Sequence, residues 1–182
     1  GVNHLSLYEL TLEEGTLFYK NDIYERDEEA VISFLNSMID YLANQGFSRY
    51  EISNYSKNNS ARSLHNLNYW RQKDYLGFGP SAVSTIVNVR TKNISTLENY
   101  LLGNDPFERE ELTKDQMTFE KIMLGLRSCE GVEKQLVADR KIENNSLIDE
   151  YLKEGYFQER DNQLSFTDKG LLLYNELVSK LL

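Results

Sequence analysis

His65, Asn66, Asn68, Tyr69 and Trp70 bring together one of the two histidines, the lone tryptophan and two amides. Rings that stack beside amide donors suit a flat ligand, and an imidazole can coordinate iron or accept a proton. A short aromatic helix buried against a sheet would use the same residues, so both readings stand. Just downstream, Gly77-Phe78-Gly79-Pro80-Ser81 permits positive φ and close approach of backbone to a ligand. It lacks the third glycine and following helix of a dinucleotide fingerprint, and the lysine of a phosphate-binding loop. A tight turn inside a sheet explains it equally. Glu51, Ser53, Asn54 and Tyr55 fall at the end of a strand-like run, where open α/β sheets place ligands. A carboxylate inside an apolar strand must find partners, so Glu51 and Asn54 are candidates for ligand contact or for a structural hydrogen bond. His4, near the start of its own strand, reads as a satisfied core histidine.

Other chemistries are bounded by composition. Cys129 is the single cysteine among 182 residues, which excludes an intrachain disulfide and any cysteine-ligated zinc or iron–sulfur site built from this chain alone. That usage fits a reducing cytoplasm. A formal net charge of −9 disfavours nucleic acid and anionic membrane as partners. No stretch approaches the roughly 18 to 20 apolar residues of a membrane span. Gly-Val-Asn-His at the start is no signal peptide. A chain that begins directly on a strand pattern looks truncated or processed. Hydrophobic residues make up 40 % and aromatic residues 12 %, the make-up of an ordinary soluble globular protein.

The elements that must position these side chains follow from periodicity. His4 to Thr11 alternates and predicts a strand; Glu13 to Thr16 predicts a turn. Ala30, Val31, Phe34, Leu35, Met38, Ile39 and Leu42 form one helical stripe from Asp27, stopped by Gly46. Phe47 to Ser53 predicts a second strand, giving a βαβ unit with parallel pairing. Asn54 to Arg62 reads as a polar exposed loop, His65 to Arg71 as a short helix, and Ala82 to Lys92 as a strand turning back in a hairpin. Ser95 with Glu98 predicts a capping box for a helix through Leu102, and Gly103-Asn104-Asp105-Pro106 reads as the linker. Beyond it, Thr113 and Gln116 cap a helix, Glu133 to Ala138 forms a second, and Leu147 to Leu152 a third ended by Gly155. A hairpin turning at Asp161-Asn162 and a helix capped by Thr167 close the chain. That order is winged-helix-like, which raises DNA binding. Its third helix offers Asp149, Glu150 and Glu154 against Lys153, and residues 111–182 hold 10 Lys and Arg against 14 Asp and Glu, so nucleic acid is not the expected partner.

His4-Leu-Ser-Leu-Tyr-Glu-Leu-Thr-Leu-Glu-Glu-Gly-Thr16, Tyr50-Glu-Ile-Ser-Asn-Tyr55, His65-Asn-Leu-Asn-Tyr-Trp-Arg71 and Asp74-Tyr-Leu-Gly-Phe-Gly-Pro-Ser-Ala-Val-Ser84 occur in this order. The set resembles the oxygen-independent coproporphyrinogen III oxidase-like radical-SAM family, in its heme-chaperone (HemW-type) branch. Met123-Leu-Gly-Leu-Arg127, Leu152-Lys-Glu-Gly-Tyr156 and Leu164-Ser-Phe-Thr-Asp-Lys-Gly170 are similar to that family's carboxy-terminal domain. The resemblance implies an α/β fold: residues 1–105 as the C-terminal part of an incomplete (β/α) barrel, and 106–182 as a small winged-helix-like α+β domain. It implies no cofactor in this chain. A 4Fe–4S cluster, S-adenosylmethionine and heme would belong to a longer polypeptide carrying the amino-terminal half of the barrel. It places a tetrapyrrole or SAM beside His65, Asn66, Tyr69, Trp70, Gly77, Gly79, Ser81, Val83, Glu51 and Asn54. The implied partners are that missing half, a tetrapyrrole and a heme-acceptor protein. Two alternatives remain: a protein-interaction module with no ligand, and a genuine anaerobic coproporphyrinogen III oxidase. An interrupted barrel would leave an edge and an apolar face open, so self-association is expected.

Overall fold

A computed structural model describes residues 1–8, 10, 12–21, 28–103, 108–141 and 143–182. Among the described residues, the strands form three small sheets, all antiparallel. The first joins β1 (His4–Ser6), β2 (Ser48–Glu51) and β3 (Asn54–Ser56) in the order β1-β3-β2. The expected parallel pairing is therefore corrected. β1 and β2 run the same way, but β3 lies between them, with Leu5 opposite Tyr55 on one side and Arg49 opposite Tyr55 on the other. The polarity of Asn54 to Ser56 suggested a loop; instead these residues are buried in the sheet, where the Asn54 amide finds Glu51 and Ser6 as partners.

Helix α1 (Leu17–Lys20) is a single turn capped by Thr16, and α2 (Glu28–Asn44) is the long helix of this region. The helix start expected at Asp27 and the strand end expected at Thr11 lie outside the described residues. Leu42 packs with Phe47 and Tyr55, with Leu5, Leu7 and Ile39 around them. Gly46, at φ +80°, ends α2, and Phe47 N–H donates back to the Leu42 carbonyl at 2.9 Å. Phe34 was expected on the inward stripe but is 62 % exposed.

Helix α3 (Leu64–Trp70) follows a 3₁₀ turn at Asn59–Ala61. The hairpin β4 (Val83–Ile86) and β5 (Val89–Lys92) forms as expected and is extended by β6 (Glu108–Glu111), all of whose residues are exposed. Between them, α4 (Leu97–Leu101) starts after Thr96 with no side-chain cap bond, so the Ser95–Glu98 capping box is corrected. Of the expected linker, only Gly103 lies within the described residues.

The remaining order matches the periodicity: α5 (Lys114–Gly125) with its Thr113–Gln116 capping box, β7 (Val132–Glu133), α6 (Lys134–Ala138) and α7 (Asn144–Lys153). The hairpin β8 (Phe157–Arg160) and β9 (Gln163–Phe166) comes next, then α8 (Asp168–Leu172) and α9 (Tyr174–Leu181). Two details differ: β7 pairs with β9, and the closing helix breaks at Leu173. The main core lies here, built from residues such as Ile122, Leu126, Ile148, Leu164, Phe166 and Leu181. Among the described residues, fifteen buried ones make this cluster against three around Leu42. The fold class is mixed α/β, but the continuous parallel barrel wall expected over His4 to Val89 is absent among the described residues.

Candidate functional site

Tyr50 is fully buried on β2. Its hydroxyl is 2.8 Å from His4 Nε2 and accepts the Ser63 N–H at 3.0 Å. Burial pushes this phenol above its ordinary pKa. Ser63 is in turn the N-cap of α3, its hydroxyl accepting the Asn66 N–H at 3.3 Å. His4 thus reaches the hydroxyl that fixes where α3 begins. Glu51 and Asn54 are 1 % and 2 % exposed. The Asn54 amide donates to Glu51, Ser53 N–H donates to the same carboxylate at 3.2 Å, and Ser6 Oγ donates to Asn54 Oδ1 at 2.5 Å. Both residues are engaged within the sheet.

The imidazole of His65 is exposed, one turn from the half-buried Tyr69. Their rings meet edge to face at 4.9 Å, and Tyr69 meets Tyr75 at 4.8 Å. A cavity of about 150 Å³ opens there, lined by His65, Asn68, Tyr69, Lys73, Asp74, Tyr75 and Leu76. Leu64, Leu76 and Phe78 are 68 %, 63 % and 83 % exposed along this stretch. Large apolar side chains on a surface invite cover when they cluster.

Trp70 turns away from the imidazole. It lines a different cavity, with Arg71, Lys121 and Glu130, and the Arg127 guanidinium lies 5.4 Å from its ring centre. The Arg127 group also lies 4.7 Å from the ring of Tyr174, whose hydroxyl donates to the Met123 carbonyl and whose pKa burial pushes up to about 12. Arg71 holds Glu130 through two bonds, at 2.7 and 2.5 Å, which raise the pKa of the guanidinium and lower that of the carboxyl. Gln72 donates to the Met117 carbonyl at 3.0 Å. Tyr50, Arg71 and Arg127 stood in the sequence motifs without a role, and Glu130 was not singled out. Tyr50 had a signal, as an alternate position in a strand. The Arg71–Glu130 pair spans 59 residues and leaves no local trace.

The glycine loop is drawn tight against the β4–β5 hairpin. Gly77 N–H donates to Ser84 Oγ at 3.0 Å, and the Asn93 amide donates to the Gly77 and Gly79 carbonyls. A Cβ on Gly77 would stand 2.3 Å from the Val83 carbonyl oxygen, so the requirement for glycine there comes from the protein itself. Gly79 is at φ +106° with nothing near its missing Cβ, and Ser81 is exposed at φ +60°. Val83 is half-buried on β4. Gly77→Ala is expected to cost about 1 to 3 kcal/mol as the loop is forced off the hairpin. Urea unfolding measures it, and a variant as stable as the unaltered chain would refute the close approach.

Residues 112–173 match the HemN C-terminal domain. The chain is 29 % identical over 188 residues to the heme chaperone HemW of Bacillus subtilis, covering 96 % of this chain and 49 % of that protein. With the heme chaperone HemW of Buchnera aphidicola the identity is 31 % over 184 residues, at 96 % and 49 % coverage. Among solved structures, coproporphyrinogen III oxidase (HemN) from Escherichia coli, a radical SAM enzyme, superposes with a TM-score of 0.72 at 18 % identity, covering all of this chain and 48 % of that one. The chain spans about half the length of the relatives it matches.

Proposed function

The chain belongs to the HemW- and HemN-like radical-SAM family, and on that footing we propose that it is the tetrapyrrole-facing half of a cytoplasmic heme chaperone. One observation carries the reading: His65 presents an exposed imidazole at the mouth of an aromatic cavity, beside the exposed Leu64, Leu76 and Phe78. Imidazole is a common axial ligand to heme iron, and an apolar rim suits the face of a porphyrin. At about 150 Å³ the cavity is smaller than the roughly 300 Å³ or more of pockets that enclose a ligand. A macrocycle held here would meet the rim and not be enclosed by the cavity.

Tyr69 backs the imidazole. Asn66 and Trp70 seat its helix, while Gly77, Gly79, Ser81 and Val83 shape the neighbouring loop and strand. Glu51 and Asn54 hold the sheet beneath. Cys129 is the single cysteine, and no three metal-ligating side chains gather among the described residues, so an iron–sulfur cluster does not fit this chain's own groups. The cluster and S-adenosylmethionine fall to the amino-terminal half of the barrel. No described helix is long and apolar enough to cross a membrane.

Hemin titrated into the chain should give a saturable Soret band at one equivalent; a featureless, non-saturating rise would refute the reading. Residues 111–182, winged-helix-like, would cover the pocket or receive a heme acceptor. A core whose fully buried members all fall within residues 122–181 favours the second reading, an interaction module with no ligand of its own. Under that reading, deleting residues 111–182 leaves hemin binding intact. If coproporphyrinogen III is decarboxylated anaerobically by the chain joined to an amino-terminal half, the protein is an oxidase instead of a chaperone.

A further inference from the structure

Three consecutive residues at the end of α3 are gripped by one stretch of the terminal region, α5 and the turn after it: Trp70 by Arg127, Arg71 by Glu130, and Gln72 by the Met117 carbonyl. The other end of α3 is held by the Ser63 N–H on Tyr50. Between these grips is a helix of seven residues, too short to bend, with His65 about 7.5 Å up the axis from Trp70. Such a helix moves as a lever. Of the grips, Arg127 reaches deepest, because its second ring partner, Tyr174, belongs to the main core. Arg127 Nε and Trp70 Nε1 are both buried with no hydrogen-bond partner among the described residues, so the guanidinium over the ring carries this contact.

We propose that Arg127 is a positioning residue for the His65 site: held between the rings of Trp70 and Tyr174, it couples the packing of the terminal region to the angle at which α3 presents the imidazole. The inference rests on His65 as the tetrapyrrole ligand. It adds that whatever docks on or shifts the terminal region changes the ligation of the iron. Glu130 sets the rotation of α3 through its fork on Arg71, while Arg127 sets its distance from the core.

Arg127→Met and Arg127→Lys test this in the whole chain with two readouts. Trp70 is the lone tryptophan, so its emission reports the stack with no ligand present. Hemin affinity and the Soret spectrum report the imidazole. Arg127→Met should shift the emission, weaken hemin about tenfold, as expected for a group that orients a metal ligand, and alter the Soret band. Arg127→Lys should recover most of each, since a cation returns over the rings. If Arg127→Met does not fold, Glu130→Gln, on the more exposed side of the grip, should weaken hemin in the same direction by less. Shifted emission with unchanged hemin spectra and affinity would leave Arg127 as packing alone and overturn the proposal, as would Glu130→Gln that is silent where Arg127→Met does not fold. His65→Ala run in parallel separates the failures. If it too is silent, the reading of the site is lost and the positioning role with it; if it acts while Arg127→Met does not, only the positioning role is lost.

Discussion

Hemin binds His65→Ala at least about tenfold more weakly than the unaltered chain, and the Soret band moves to that of a complex lacking the imidazole: this is the expected result. Tenfold corresponds to about 1.4 kcal/mol, a modest demand on an iron–nitrogen bond. The substitution is clean because the side chain is exposed and its one ring contact is the edge of Tyr69. Surface changes of that kind usually alter stability by less than about 0.5 kcal/mol, so loss of binding would not be loss of fold. The helix itself stays in place, since its cap is Ser63 and its far end is held by Arg127 and Glu130. Equal affinities and identical spectra would remove His65 from the site.

The largest effect on stability is expected at Phe166. Its side chain is 3 % exposed, stacked on Phe157 at 4.4 Å and meeting Tyr174 edge-on at 5.7 Å. Truncation to alanine removes the ring from the centre of the main core and leaves a void that β9 cannot close, at a cost of about 3 to 5 kcal/mol. That is a large part of the roughly 5 to 15 kcal/mol that holds a domain together. Urea unfolding should show a midpoint moved far down at a similar slope. Phe34→Ala is the control, because that ring is 62 % exposed on α2 and should cost little. Similar midpoints for the two variants would mean that the main core is not where the structure puts it.

The terminal region was legible because its signals are local. Thr113 and Gln116 are three residues apart and cap each other's turn; Asp161 and Asn162 both adopt positive φ, as a tight hairpin turn requires. The same holds for α3 and for the β4–β5 hairpin. What escaped depends on distant partners. Asn54 looked like loop because its polarity shows in the sequence, whereas the Glu51 and Ser6 groups that let it be buried at the centre of a sheet do not. Placing β3 between β1 and β2 then turned an expected parallel pair into two antiparallel ones. Of the site, the residue cluster around His65 was visible from its types. That His65 and Trp70 face different cavities was not, nor that Gly77 is glycine to let its own β4 approach.

Glu108-Arg109-Glu110-Glu111 makes β6 a rim of charge along the free border of its sheet. A second chain trying to zip on there must bring its own backbone beside four ionised groups, three of them of one sign, and concentrated solutions should be protected from fibre-like growth at that border. Copies that do come together have exposed apolar side chains elsewhere to meet through, Phe34 and Tyr41 on one flank of α2 among them.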